Sequence, residues 1–163
     1  MKTLILIRHA KSDWNDFSAR DFDRELNARG KRDAPLMGQR LAARDIQPDA
    51  LVVSTACRAK ATARLMTPAL SFSFADIDWR DELYLASPST MKSVIRQTAD
   101  HIQTLALLAH NPGITELANQ LTGTDINNVP TCGVITLDLP VDHWEEVSNN
   151  ASLLDFDYPK RLQ

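Results

Sequence analysis

Three short apolar runs of this chain each lead straight into side chains that could grip or accept a phosphoryl group. Leu4–Ile7 runs into Arg8-His9, Leu51–Val53 into Ser54-Thr55-Ala56-Cys57-Arg58, and Leu105–Ala109 into His110-Asn111-Pro112-Gly113. The planar fork of arginine gives paired, charge-assisted hydrogen bonds to phosphate oxygens. A neutral imidazole is a nucleophile once its second ring nitrogen is fixed by a hydrogen bond. In open α/β sheets, ligands bind beyond the carboxyl ends of the strands. If these runs are parallel strands, two arginines and two histidines meet at one sheet edge, and that is an anion site. Either residue type alone after a strand is ordinarily a salt bridge or a core group, and His101 and His143 are read that way.

The elements that must position these groups are legible around them. Ala34, Met37, Leu41 and Ala42 recur at helical spacing before Pro48. Further helices are expected over about 58–66 before Pro68, 89–101 after Pro88, and 114–121 before Gly123. Asn111 suits an N-cap and Pro112 the first helical position, so a helix start should face the site. Ser54 or Thr55 is expected to cap the helix carrying Arg58. Strands alternating with such helices imply an α/β domain with a mostly parallel sheet, and the first three runs are apolar throughout, as strands covered on both faces require. The last run, Val134–Leu139, is expected to pair with His143–Val147 as an edge hairpin.

Composition bounds the rest. A chain of 163 residues is one domain, 1–163, and 44% apolar residues suffice for a core. No run approaches the roughly 20 apolar residues of a membrane span, and the apolar stretch at the N-terminus is too short for a secretion signal. Two cysteines, Cys57 and Cys132, form neither a disulfide framework nor a metal-ligand spacing. A cytoplasmic location is expected. A net charge of −3 with mixed signs argues against nucleic acid as the partner. The charged stretch from Arg20 to Arg44 reads as a solvated helix face from which one or two arginines could reach an anion. Trp14, Trp79 and Trp144 read as core.

Arg8-His9-Ala10 resembles the Arg-His-Gly signature of the histidine phosphatase superfamily, which includes the cofactor-dependent phosphoglycerate mutases and the phosphohistidine phosphatase SixA. Ser54 to Thr62, with its Arg58-Ala59, is similar to that family's second motif, and Ala109-His110-Asn111-Pro112 to its second histidine motif. Arg24-Glu25-Leu26-Asn27-Ala28-Arg29-Gly30 resembles a segment of the SixA-like members. Ala10 replaces the family's glycine, which bears on the shape of that loop.

The resemblance implies a single three-layer α/β/α domain of the phosphoglycerate-mutase type, in a minimal version without a cap subdomain. It implies His9 as the nucleophile that becomes phosphohistidine, with Arg8, Arg58 and a protonated His110 around the phosphoryl oxygens. Asn15 and Asn111 are expected to touch the ligand. Glu82 is expected to be the general acid, with Asp81 and Asp13 as alternatives. No metal or cofactor is implied. The short interval between Arg58 and His110 suggests an open site for a phosphoryl group presented on a protein, so the expected partner is a histidine-phosphorylated signalling domain. A small phosphoester such as a sugar phosphate is the alternative, and a phosphate-binding module without catalysis a third reading. Cysteine-phosphatase chemistry fails, because its Cys-x5-Arg loop needs arginine where Ala63 and Asp138 stand. A Gly-rich Lys-Ser/Thr phosphate loop is absent as well.

Overall fold

The computed structural model describes residues 1–161. Ten principal elements follow one another: β1 Lys2–Arg8, α1 Ala28–Ala43, β2 Ala50–Ser54, α2 Cys57–Met66, β3 Asp78–Arg80, α3 Pro88–Arg96, β4 Thr104–Ala109, α4 Gly113–Thr122, β5 Val134–Leu139 and β6 Ser152–Asp157. The strands form one sheet in the order β3-β2-β4-β1-β5-β6. β1, β2, β3 and β4 are parallel, and β5 runs antiparallel between β1 and β6. The fold is therefore the three-layer α/β/α arrangement with a mostly parallel sheet.

The period of two along β1 builds both outer layers. Leu4 and Leu6 point into a core with Met91, Val94 and Ile95 of α3 and Ile114, Leu117 and Leu121 of α4. Ile5 and Ile7 point into a second core with Ala34, Met37 and Leu41 of α1 and Ala59, Ala63 and Met66 of α2. β4 divides in the same way, Leu105 and Leu107 to the first core and Ala106 and Leu108 to the second. A strand covered on both faces has no polar position to give away, which is why these runs are unbroken.

Some expectations change. The partner of β5 is Ser152–Asp157, while Trp144–Glu146 is a short 3-10 turn. The turn forms because Trp144 is fully buried and its indole donates to the Ile102 carbonyl at 2.8 Å, pulling this segment off the sheet. α3 ends at Arg96 rather than reaching His101. The N-cap of α2 is Ala56, because Ser54 and Thr55 spend their hydroxyls on His110 and Asp81.

The long loop from His9 to Asn27 is pinned at its base. Ser12 bridges to Leu26, the Asn27 amide donates to the Lys11 carbonyl, and Asn27 caps α1 by accepting from the Gly30 amide. A Cβ at Gly30 would lie 2.2 Å from the Lys11 carbonyl oxygen, so only glycine lets α1 approach this loop.

Candidate active site

Arg8 ends β1 and His9 follows it at the carboxyl edge of the sheet. The His9 backbone is clamped on both sides: its amide donates to the Ala109 carbonyl at 3.1 Å, and its carbonyl accepts from the Cys132 amide at 2.9 Å. The ring is fixed as well. Nδ1 lies 2.7 Å from the Ala10 carbonyl, which can only accept, so Nδ1 carries the proton and Nε2 keeps a lone pair. The Arg58 Nε stands 3.3 Å from that Nε2 and donates toward it.

Arg58 is the second residue of α2, which follows β2 as the second β-α unit of the chain. Its guanidinium is buried and held by Asp21, through the backbone carbonyl at 2.7 Å and the carboxylate at 3.1 Å. Thr62, one turn along α2, accepts from the Ala10 amide at 2.9 Å and donates to the Arg58 carbonyl at 2.7 Å. It thereby ties the loop after the histidine to the helix that bears the arginine. Ala10 is fully buried and lies outside the left-handed region, so alanine meets the loop's conformation without strain.

His110 follows β4 with its ring centroid 5.1 Å from that of His9. Its Nε2 lies 2.7 Å from the Ser54 hydroxyl, while Nδ1 is buried with no hydrogen-bond partner among the described residues. Asn111 lines the pocket, but its side chain is engaged in the protein. Its amide nitrogen donates to Asn128 and to the Val129 carbonyl, and its oxygen accepts from the Thr115 amide and hydroxyl at the start of α4. Arg8 donates to the same Val129 carbonyl at 3.0 Å. Asn111 thus caps α4 from one residue further out than expected, because the helix begins at Gly113.

These groups line a pocket of about 240 Å³ together with Lys11, Ser12, Trp14, Asp21, Arg24, Leu85 and Thr131. The structure brings Arg8, His9, Arg58, His110 and Asn111 together. It does not bring in Glu82, which is exposed and paired with Arg80 at 3.4 Å. Asp81 accepts from the Thr55 hydroxyl and Asp13 from the Asn15 amide, both outside the pocket. Asn15 itself is exposed and does not line it. The carboxylate at the site is Asp21, which bonds Arg58, Arg24 and the Tyr84 hydroxyl. Arg24, read as part of a solvated face, is buried, donates to Ser12 and stacks 3.5 Å over the Trp14 ring. The three-residue spacing of Asp21 and Arg24 was the available signal, since it places both on one side of a 3-10 turn.

Burial governs the charges. It lowers His9 to about 3, with Arg58, Arg8 and Arg24 adding to the effect and the Ala10 carbonyl opposing it. Burial lowers His110 to about 3 too, helped by His9 and Arg58. In the free site His110 is therefore neutral, because desolvation and two neighbouring arginines outweigh Asp21. Burial alone would raise Asp21, but the Tyr84 hydroxyl, the Arg58 charge and the Arg24 hydrogen bond bring it down to about 2. The site thus presents arginines, two neutral imidazoles and one ionised carboxylate.

Known proteins resemble this chain in sequence and in fold. The model of the histidine phosphatase superfamily (branch 1) matches residues 4–84. An uncharacterized protein of Mycobacterium tuberculosis is 34% identical over 94% of this chain and 100% of its own. A solved structure from Agrobacterium tumefaciens, provisionally assigned as a phosphohistidine phosphatase SixA, is 30% identical, covers 97% of this chain and 98% of its own, and superposes with a TM-score of 0.84. The fold is also that of the protein histidine phosphatase SixA complexed with tungstate, with a TM-score of 0.82 at 18% identity over 96% of this chain and 97% of that one.

Proposed function

This chain belongs to the histidine phosphatase superfamily, and on that premise we propose that it removes phosphoryl groups through a phosphohistidine on His9, taking them from phosphohistidine on a protein. The observation that carries the nucleophile is the His9 ring, pinned by Nδ1 to the Ala10 carbonyl with the Nε2 lone pair toward Arg58. In the first step Nε2 bonds to phosphorus as the bond to the leaving group breaks in line. Arg8 and Arg58 hold the equatorial oxygens, whose charge is the main thing the site must stabilise. The Ser54 hydroxyl, donating to Nε2 of His110, leaves the proton on Nδ1 to face a phosphoryl oxygen.

The substrate reading rests on the carboxylates. Asp21 is ionised and committed to three donors, which makes it a poor proton source. A phosphoester's alkoxide needs a proton to leave. Transfer from one imidazole to another does not: the substrate ring departs as neutral imidazole with the proton already on its other nitrogen. In the second step water adds to phosphorus as the P–Nε2 bond breaks, and both of its protons leave with the phosphate. Neither half requires a carboxylic acid, which is what this pocket lacks among its described lining residues.

The test is a rapid alkaline quench after incubation with a phosphohistidine protein, followed by mapping of acid-labile phosphate. Label on the peptide containing His9 is expected, absent in His9→Ala. Efficient turnover of sugar phosphates with no action on phosphohistidine would overturn the substrate assignment, and equal label in His9→Ala the mechanism.

A further inference from the structure

The mouth of the phosphate pocket is lined with apolar groups that its chemistry does not use. Trp14 is 65% exposed, Phe17 97% and Leu85 55%, among the most exposed large apolar side chains of the described residues. Trp14 stands between two adjoining depressions. On one side it shares the phosphate pocket with Leu85. On the other it shares a depression of about 330 Å³ with Phe17 and Ala19, and Asp21 and Arg24 line both. The lip is thus continuous with the site, and whatever delivers the phosphoryl group must pass over it.

Two features show that the lip is built. The Trp14 ring is fixed by stacking on Arg24, which is itself buried and bound to Asp21 and Ser12. Leu85 is held with φ at 49°, a left-handed conformation that glycine or asparagine adopts more readily than a bulky side chain. Strain of this kind, kept by the surrounding structure, clusters at functional positions.

We propose that Trp14, Phe17 and Leu85 form an apolar docking lip for the folded protein that carries the phosphohistidine. This rests on the substrate reading above. A free phosphohistidine or a sugar phosphate fills the polar pocket alone and reaches at most Leu85 and Trp14, whereas Phe17 lies in the neighbouring depression. Only a partner with apolar surface around its phosphohistidine covers all three, and exposed apolar patches carrying aromatic anchors mark such contacts.

The experiment uses a histidine-containing phosphotransfer domain phosphorylated with phosphoramidate, free phosphohistidine, and p-nitrophenyl phosphate. Phe17→Ser should lower kcat/KM for the domain about tenfold through KM, with the small substrates and the thermal midpoint unchanged. Leu85→Asn should raise KM for the domain while leaving the midpoint equal or higher, the opposite of a merely structural leucine. On the His9→Ala protein, NMR titration with the phosphorylated domain should shift the Trp14 indole and the amides of Phe17 and Leu85. Dephosphorylation of the domain by wild type, without those shifts or KM effects, overturns the lip and leaves the phosphohistidine reading intact. Phosphate release from small esters but not from the domain overturns that reading, and the lip with it.

Discussion

At the scale of single residues, the site works by taking charge away from imidazole and leaving it on guanidinium. His9 and His110 share a burial-driven drop to about 3, so both rings are neutral over the whole physiological range. In ¹³C-histidine NMR their ring signals should stay level from pH 8 to about pH 4.5. His143, whose ring is exposed and raised by its hydrogen bond to Asp100, should titrate above the ordinary imidazole range and serve as the internal control. A His9 signal that titrates near 6.5 would show a solvated ring and undo the nucleophile's assignment. Arg58 makes three directed bonds that a lysine cannot reproduce, one to His9 and two to Asp21. Arg58→Lys should therefore lower kcat by roughly 10²–10³, the usual effect of losing a preorganised donor at a developing charge. Asp21→Asn keeps the shape and removes the charge that aims Arg58, which should reduce kcat/KM by roughly ten- to hundredfold. A steady-state assay on the phosphorylated domain reads both.

At the scale of elements, β1, β2 and β4 position the arginines and histidines of the site, while the 9–27 loop forms the wall. The strands were legible because a sheet covered on both faces leaves an apolar signature, and the residues that follow such strands fall at its carboxyl edge. The wall was not. Asp21 and Arg58 are far apart in the chain, and nothing in a mixed-charge loop says which arginine turns inward. Arg24 is buried only because Trp14 and Ser12 close over it. Glu82 was attractive in sequence for lying after β3, yet Arg80, two residues earlier, takes its carboxylate outward. β6 is an edge strand whose Asp155 and Asp157 bond Arg40 of α1 and Arg44 at its C-cap, so its pattern reads as polar. Gly30 tests the wall directly. Gly30→Ala should push α1 off the Lys11 carbonyl, with a loss of about 1–3 kcal/mol in urea unfolding, typical of overpacking. Activity should fall further than stability, because Lys11 and Ser12 line the pocket. A variant of full activity would show that the loop shape does not depend on this contact.

At the scale of the whole molecule, the same buried imidazoles tie stability to pH. Their folded pKa of about 3 lies below the unfolded 6.5, so between these values the unfolded chain binds more protons. Stability from this source is complete above pH 6.5 and is lost as the pH falls toward 3. The urea midpoint should drop steadily over that window, and His110→Gln should flatten the slope by removing one of the two protons. An unchanged slope in the variant would place the acid sensitivity elsewhere. The clamp on His9 carries a consequence for the lifetime of a phosphorylated enzyme. Its amide and carbonyl are tied to Ala109 and Cys132 on opposite sides, just past the end of an inner strand. Deuterium should enter that amide only through global opening, as in the slowest-exchanging part of a domain. A phosphoryl group on His9 would therefore ride on backbone held from both sides, and the persistence of the intermediate would be set by the arrival of water at phosphorus rather than by motion of the residue that holds it.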